Sequence, residues 1–461
     1  MSASQHTTHV VRQTENARGQ EQGLSLLSLT SLVIASMIGA GVFTTSGFAL
    51  GDLGTPGRVM LAWLVGGGVA FCGALSYGAL ARRMTESGGE YLFLSRAIHP
   101  LVGFLAGWVS LLAGFTGAIA FAATAFAAYA LPDNIRPSWL PHDILATLLV
   151  VGVGVVHGHH VQGGVISQNV TVIVKLGLIA AFLLYALFTL ATPLPLWQGG
   201  PVIAPGPSAP PLFSLSAFAV TLMWISLSYS GFNAAIYVAG EARDAHVAVP
   251  RAMVIGTLVV TVLYLALNAV FVYAPAPETI VQQQDVAARA AFALGGAPLA
   301  LVVRVTIVVA LLTSVSAMVM SGPRVYARMA EDGVFPACFR MQSDAPGAAA
   351  ALQVVLAVIV IWITTLQELL SYLGFLLSIS AAATVTSLFV LRRREGAEHV
   401  PIPGYPVVPG LFVLCTLSFA GLAAFRRPLE LVAGVVTLAS GVVFYLLMSR
   451  RQRTQDVKAE Q

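Results

Sequence analysis

Long apolar runs, separated by short polar segments, fill most of the chain between residues 24 and 449. A run of about 20 apolar residues can cross a hydrocarbon core roughly 30 Å thick as a helix. The runs are continuously apolar and lack the alternation of a β-barrel strand. The pattern predicts an all-α membrane protein with twelve spans, at residues 26–49, 58–81, 99–131, 143–161, 169–191, 212–240, 251–274, 297–321, 348–366, 369–391, 407–425 and 429–449.

Both ends of the chain are polar. The first segment lacks the short apolar core and the cleavage site of a secretory signal peptide. We expect a disordered N-terminal tail at residues 1–22, a membrane domain at 23–449 and a second tail at 450–461.

Charge supports this class and orients the spans. Only 10% of the residues are charged, whereas a soluble domain carries about 25%. With both termini in the cytoplasm, the inside segments hold 17 of the 24 lysine and arginine residues, and the outside segments hold 5. This asymmetry follows the positive-inside rule and predicts cytoplasmic termini. It also explains the net charge of +4 without a nucleic-acid partner.

Two spans carry small and polar residues near the middle, where lipid makes unpaired backbone groups costly. Span 1 contains Gly39 and Gly41, and span 6 contains the sequence SYSG at 228–231. Small residues also serve close helix packing. However, the matching positions in two five-span halves favour discontinuous helices that form a midplane substrate site. We expect Gly39 and Gly41 to supply backbone angles that other residues resist.

Six motifs, in order along the chain, resemble those of the amino acid–polyamine–organocation (APC) transporters. Three departures from the family pattern are Ala40, where many members have Ser, Val42, where Ile is common, and Phe232, where Trp often occurs. The motifs are IGAGVFTTSG, SGGEYLFLSRAIHPLVGFLAGW, QNVTVIVKLG, YSGFNAAIYVAGEARD, GPRVYARMAEDGVFP and IPGYPVVPGLFVL.

This resemblance implies a fold and a mode of action. It implies a 5+5 inverted-repeat core, with repeats at about 26–191 and 212–391, discontinuous helices 1 and 6, and two peripheral helices at about 407–449. It also implies uptake or exchange of amino acids by alternating access. The protein is expected to be a transporter and not an enzyme, since the sequence carries no P-loop and no nucleophile–base pair.

The resemblance also implies the substrate contacts. The carboxylate of the amino acid would meet the amides of Gly39, Ala40 and Gly41, and its side chain would face Phe232. A helix N-terminus favours anions and a helix C-terminus favours cations, which independently suits a zwitterion. The ammonium would meet the carbonyls of Met37, Leu227 and Ser230.

Lys175 is the only lysine within the predicted spans. Ionisable residues inside a membrane are costly and usually functional, although a lysine near the inner end can also snorkel to the interface. In sodium-independent members of the family a lysine at this place points at the interrupted helix 1. Burial disfavours a charged ammonium, so Lys175 is a candidate for proton coupling, with Thr313 and Ser314 as its neighbours.

Further charged residues lie near the ends of the spans. Glu90 and Glu241 are candidates for an inner gate with Arg324, or with Arg82, Arg83 or Arg328. Arg304 either snorkels outward or contributes to an outer gate or a substrate contact. The histidine cluster at 157–160 lacks carboxylate or thiolate partners, so we expect neither a metal site nor a cofactor.

No aspartate or glutamate lies in the central part of a predicted span, which favours neutral amino acids over cationic ones. The leading hypothesis is a proton-coupled, sodium-independent amino acid transporter in the cell membrane, specifically a bacterial inner membrane, without an obligate protein partner. The alternatives are an obligate exchanger of amino acids or of amines such as polyamines, and a nutrient sensor that does not transport.

Overall fold

The structure is a computed structural model that describes residues 23–132, 135–159, 164–190, 214–340 and 347–459. Its described residues are helical or irregular, with one isolated bridge between Leu24 and Ala242. Nine of the described helical segments are long and apolar enough to cross a membrane, and three shorter apolar helices accompany them. The prediction of an all-α membrane protein is confirmed.

The described residues of the first half of the chain form eight α-helices. A π-helical turn at Ser110–Gly117 joins α5 to α6. The helices are α1 (Leu26–Met37), α2 (Ala40–Leu53), α3 (Pro56–Arg83), α4 (Gly89–Ala97), α5 (Pro100–Val109), α6 (Ala118–Ala130), α7 (His142–His159) and α8 (Gly164–Leu190).

The described residues of the second half form seven more α-helices. Between α9 and α10 the chain continues as a 3₁₀ helix at Ser230–Glu241, called the 3₁₀ segment below. Two short 3₁₀ turns lie at Pro277–Thr279 and Ala337–Phe339. The helices are α9 (Leu215–Ser228), α10 (Ala245–Tyr273), α11 (Val286–Glu331), α12 (Gly347–Ile363), α13 (Leu366–Glu395), α14 (Val407–Arg426) and α15 (Pro428–Ala459).

Local chemistry explains several helix ends. The side chain of Ser25 accepts the amide of Ser28 and caps α1, and Ser214 caps α9 in the same way. Thr365 and Glu368 form a reciprocal capping box at the start of α13. Gly54 ends α2 with a φ of 74°, a left-handed conformation that glycine adopts without strain.

Two helices differ from the expected boundaries. α11 is 46 residues long and bends at Gly295 and Gly296, where Gly296 has a φ of 65°. α15 continues to Ala459, so a helix occupies most of the expected C-terminal tail. The N-terminal tail expected at 1–22 lies outside the described residues.

Six elements surround the two places where spans 1 and 6 are interrupted. α10 packs along α3 and α1, α9 packs against α2, and the 3₁₀ segment packs against α1. Large aromatic side chains fill the space between α3, α9 and α10: Trp63, Tyr229 and Tyr264 are each at most 1% exposed. This packing brings the two interruptions together in the interior.

Candidate substrate site at two helix breaks

The first break is a two-residue interruption between α1 and α2. Ile38 and Gly39 are not helical, with φ and ψ of −77° and 83° at Ile38 and −122° and −160° at Gly39. The amide of Gly39 donates to the carbonyl of Met37 over 2.9 Å. The amides of Ala40 and Gly41 start α2, so they have no partner within that helix, and no side chain caps this end. The break thus presents a helix N-terminus, which favours an anion.

The structure corrects the expected role of the two glycines. Gly39 has an extended backbone that any residue adopts, and Gly41 already lies within α2. Gly39 contributes room, because no atom lies within 4 Å of the position that its Cβ would occupy. Gly41 permits close packing, because a Cβ there would collide with Ser228. The glycines therefore act through their missing side chains, and unusual backbone angles are not required.

The second break lies directly against the first. α9 ends at Ser228, and the chain continues in the tighter 3₁₀ segment from Ser230. A Cβ at Gly231 would lie 2.5 Å from the carbonyl oxygen of Ser36 and 2.6 Å from the amide nitrogen of Met37. Only a residue without a side chain permits this approach, so the backbone of span 6 touches the last turn of α1.

Tyr264 of α10 connects the two breaks. Its hydroxyl lies 2.5 Å from the carbonyl oxygen of Met37 and 3.0 Å from that of Ser228. These are the last residues of α1 and α9, whose carbonyls lack donors within their own helices. The buried phenol therefore satisfies backbone groups that the breaks expose. It also occupies the carbonyl of Met37, where we expected the substrate ammonium.

A chain of hydrogen bonds holds α2 in place. The indole of Trp63 donates to the hydroxyl of Ser46 over 2.9 Å, and that hydroxyl lies 2.5 Å from the amide oxygen of Asn268. Asn268 in turn donates to the carbonyl of Tyr264 over 2.8 Å. Buried polar groups are costly unless they are paired, so this network fixes α2 against α3 and α10.

Lys175 of α8 lies at the carbonyl end of α1. Its Nζ donates to the carbonyl of Ile38 over 2.8 Å and is 3.4 Å from that of Ala35. The residue is only 5% exposed. Because the C-terminus of a helix carries partial negative charge, the ammonium is a counter-charge for the break. The structure thus places Lys175 at the interrupted part of span 1, as expected, and its part in proton coupling remains a prediction.

An apolar cavity of about 250 Å³ adjoins Lys175. Apolar surroundings raise the cost of a charged ammonium. Ser314 and Thr313, the expected neighbours of the lysine, donate to the carbonyl of Ala310 in their own helix, over 3.0 and 2.8 Å. The cavity is lined by Lys175 together with Phe43, Phe182, Phe271, Val303 and Ala310.

Three further residues expected at the substrate lie along span 6. Leu227 and Ser230, at the end of α9 and the start of the 3₁₀ segment, are half-buried. Phe232 is 7% exposed and packs edge-on against Tyr77, with ring centroids 5.1 Å apart, and against Phe412 at 6.5 Å. The ring therefore contacts α3 and α14, and its contact with a substrate remains a prediction.

The expected inner gate is arranged differently from the prediction. Glu90 accepts hydrogen bonds from neutral groups of Tyr77, Asn233 and Ser380. The arginines proposed as its partners bind elsewhere, since Arg83 pairs with Glu395 at 2.6 Å and Arg328 with Asp332 at 3.3 Å. A buried carboxylate suits converging donors, whereas these arginines extend into solvent. The side chain of Arg324 and those of the histidine cluster at 157–160 lie outside the described part.

Glu241, the second acidic residue expected at the inner gate, makes its contacts through its backbone. Its carbonyl accepts the amide of Leu24 over 2.8 Å, and the carbonyl of Leu24 accepts the amide of Arg243 over 3.0 Å. The side chain of Glu241 is exposed. Main-chain bonds therefore tie the segment before α1 to the end of the 3₁₀ segment.

Arg304 belongs to an ion-pair cluster at the opposite end. Its guanidinium and that of Arg289 each lie 2.6 Å from a different oxygen of Asp285, which is 6% exposed. Arg304 also approaches the carbonyl of Tyr129 at 3.4 Å, and the hydroxyl of Tyr129 donates to the carbonyl of Phe43 over 2.6 Å. This cluster links α11 through α6 to α2.

Sequence reasoning missed several residues that the structure brings to the breaks. Tyr264 and Asn268 stand four positions apart in an otherwise apolar span, and residues with this spacing share a helix face. That polar pair was a readable signal for a buried network. Asp285 and Arg289 also stand four positions apart, which was a readable signal for their ion pair. Nothing local indicated the second partner, Arg304, which is 19 positions away in the sequence.

Nearly the whole chain matches a known protein family. A sequence profile described as "Amino acid permease" matches residues 24–447. The chain belongs to the amino acid permease family. It is therefore a multi-pass membrane protein of a transporter family within the APC superfamily, and not an enzyme, as expected.

Named relatives cover nearly all of this permease. The serine/threonine exchanger SteT of Bacillus subtilis is 24% identical over 444 residues, which is 94% of this chain and 98% of the relative. The human large neutral amino acids transporter small subunit 2 is 22% identical, covering 92% of this chain and 80% of its own. The mouse b(0,+)-type amino acid transporter 1 is 24% identical, covering 93% and 88%.

Proposed function

We propose that this permease is a secondary active transporter that moves neutral amino acids by alternating access. The two helix breaks would hold the carboxylate and the ammonium of the substrate. The amides of Ala40 and Gly41 would bind its carboxylate, and the carbonyls of Leu227 and Ser230 its ammonium. Because main-chain groups make these contacts, the site would accept amino acids with different side chains.

The observation that carries this proposal is the open space at Gly39 beside the uncapped start of α2. Amides at a helix N-terminus attract a carboxylate. The break is also enclosed, since Met37 and Ala40 are 2% and 5% exposed. Removal from water strengthens electrostatic contacts, which suits recognition of a small zwitterion.

The fold that we propose has twelve spans in a 5+5 inverted-repeat core with two peripheral helices. Interruptions in α1–α2 and after α9 occupy corresponding positions, five predicted spans apart, which supports this arrangement. We also propose cytoplasmic termini, from the excess of lysine and arginine in the inside segments. The arginine-rich face is then the cytoplasmic face.

The preference for neutral substrates rests on two observations. No aspartate or glutamate stands in the centre of a predicted span to balance a cationic side chain. Two relatives carry names that specify serine/threonine and large neutral amino acids. Thermal-shift screening of the purified chain against the twenty amino acids tests this preference, since a ligand that binds the folded state raises its stability.

Lys175 is the residue that we propose for proton coupling. Its ammonium bonds the carbonyl of Ile38 at the break. Loss of its proton would remove the counter-charge at the end of α1 and so alter the geometry of the substrate site. Coupling would then need no sodium ion.

Reconstitution into liposomes tests the transport function. Proteoliposomes without internal substrate should accumulate a labelled neutral amino acid when the outside is more acidic. This accumulation should stop when the pH gradient is collapsed. Absence of flux under every gradient, together with retained amino acid binding, would favour a sensor instead.

A second candidate function is obligate exchange, which the name of the serine/threonine exchanger favours. An exchanger moves label only when the liposomes contain counter-substrate, whatever the pH gradient. Preloaded and empty liposomes therefore separate the two mechanisms.

The human relative is named a small subunit, whereas we propose that this chain acts alone. Flux through the purified chain tests that too.

A further inference from the structure

Glu90, at the start of α4, has a buried carboxylate that joins four elements. The residue is 8% exposed. Its Oε1 accepts the hydroxyl of Tyr77 over 2.6 Å and the side-chain amide of Asn233 over 3.2 Å, and its Oε2 accepts the hydroxyl of Ser380 over 2.5 Å. These donors lie on α3, the 3₁₀ segment and α13. One side chain therefore fastens α4, between two membrane spans, to three elements of the transporter.

The described groups that face Glu90 are neutral. Two phenols, those of Tyr77 and Tyr237, interact with its charge. Charged groups on the same and adjoining helices bind elsewhere: Arg96 pairs with Glu86, and Arg394 approaches the carbonyl of Ala97.

Closure of α4 and protonation of Glu90 therefore favour each other. Burial raises the pKa of the Glu90 carboxyl above its ordinary value, against the opposing effect of its three hydrogen bonds. When α4 moves away and the carboxyl returns to water, burial no longer raises its pKa. The closed state thus binds a proton more tightly than the open state, and acid favours closure.

We propose that Glu90 is a proton-binding site that controls the docking of α4 at the arginine-rich face of the transporter. α4 is docked when Glu90 is protonated and is released when Glu90 ionises. The hydroxyls of Tyr77 and Ser380 accept as well as donate hydrogen bonds, so they can hold either form. This regulation rests on the proposed alternating access and is separate from coupling at Lys175. Protonation of Glu90 changes the docking of α4 and leaves the substrate site unchanged.

Hydrogen–deuterium exchange of α4 tests the proposal without relying on transport. The full chain in nanodiscs is followed across a pH series, with correction for intrinsic exchange rates. We expect several-fold slower exchange of α4 at the acidic end, because a closed state that binds the proton more tightly becomes more populated as the pH falls. Glu90→Gln should exchange slowly throughout. Glu398→Gln, which changes an exposed carboxylate after the end of α13, should behave like the wild type.

A second variant keeps the test independent of the folding of Glu90→Gln. Tyr77→Phe removes a donor that favours the carboxylate, so the transition should move to higher pH. A wild-type profile without pH dependence, an unchanged profile in Glu90→Gln, or an unmoved transition in Tyr77→Phe overturns the proposal. Amino acid binding and flux are measured in parallel. A flat exchange profile with normal flux overturns this inference alone, whereas a pH-dependent profile without flux overturns transport alone.

Discussion

The ammonium of Lys175 donates a hydrogen bond to the carbonyl of Ile38 over 2.8 Å, across 137 positions of sequence. Ile38 is the first residue past the end of α1. Its amide still donates to the carbonyl of Ile34, whereas its own carbonyl accepts from Lys175. The lysine therefore supplies a donor and a positive charge where the helix ends. This contact connects a proton-accepting side chain to the backbone that we propose binds the substrate.

Replacement of Lys175 by Gln should abolish accumulation driven by a pH gradient. Glutamine retains a donor for Ile38 but carries no charge to gain or lose. Labelled amino acid should then only equilibrate across the liposome membrane. The matched control is Lys458→Gln, which changes the other lysine of the chain and should leave accumulation intact. Accumulation by Lys175→Gln at the wild-type level would remove this residue from the coupling mechanism.

Tyr264→Phe should destabilise the protein and weaken substrate binding together. The change leaves the carbonyl of Ser228 without its phenolic donor, whereas that of Met37 keeps the amide of Gly39. An unsatisfied buried group costs about 1–3 kcal/mol. Denaturant titration and ligand-induced thermal shift measure the two effects. Tyr273→Phe, at the far end of the same helix, is the control and should alter neither. Normal stability in Tyr264→Phe would mean that the phenol does not hold the breaks.

Two glycine substitutions should affect different properties: one the stability of the protein, the other its affinity for the substrate. Gly231→Ala places a Cβ 2.5 Å from the backbone oxygen of Ser36, and overpacking of this kind typically costs about 1–3 kcal/mol. Gly39→Ala meets open space and an extended backbone, so its free energy of unfolding should change by less than about 0.5 kcal/mol. Its methyl group should instead lower the affinity for amino acids. Equal destabilisation by both variants would contradict the open space that we describe.

The ion pairs at the two ends of the molecule should differ in strength. Asp285→Asn removes a carboxylate, 8% exposed in its side chain, that binds two arginines. Loss of hydrogen bonds to charged groups costs about 1.5–3 kcal/mol each. Glu395→Gln breaks an ion pair in which the side chains of Arg83 and Glu395 are 51% and 30% exposed, which should cost under about 1 kcal/mol. Unfolding titrations compare the two, and a smaller loss in Asp285→Asn would contradict the buried cluster.

Much of the fold could be read from the sequence, because lipid imposes long apolar runs that only a few residue types satisfy. The break in span 1 was located to within a residue or two, since Gly39 and Gly41 interrupt an apolar helix. The physical reason for the glycines was wrong, because packing against Ser228 depends on a helix 187 positions away. Similarly, no local pattern indicated that Glu90 would find neutral donors from three separate elements in place of arginines.

The most direct test is a high-resolution cryo-EM map of the protein with a bound neutral amino acid. Our account predicts density for the amino acid beside Gly39, with its carboxylate within hydrogen-bonding distance of the amides of Ala40 and Gly41. A helix that runs unbroken through Ile38 and Gly39, or a carboxylate held only by side chains elsewhere, would contradict it.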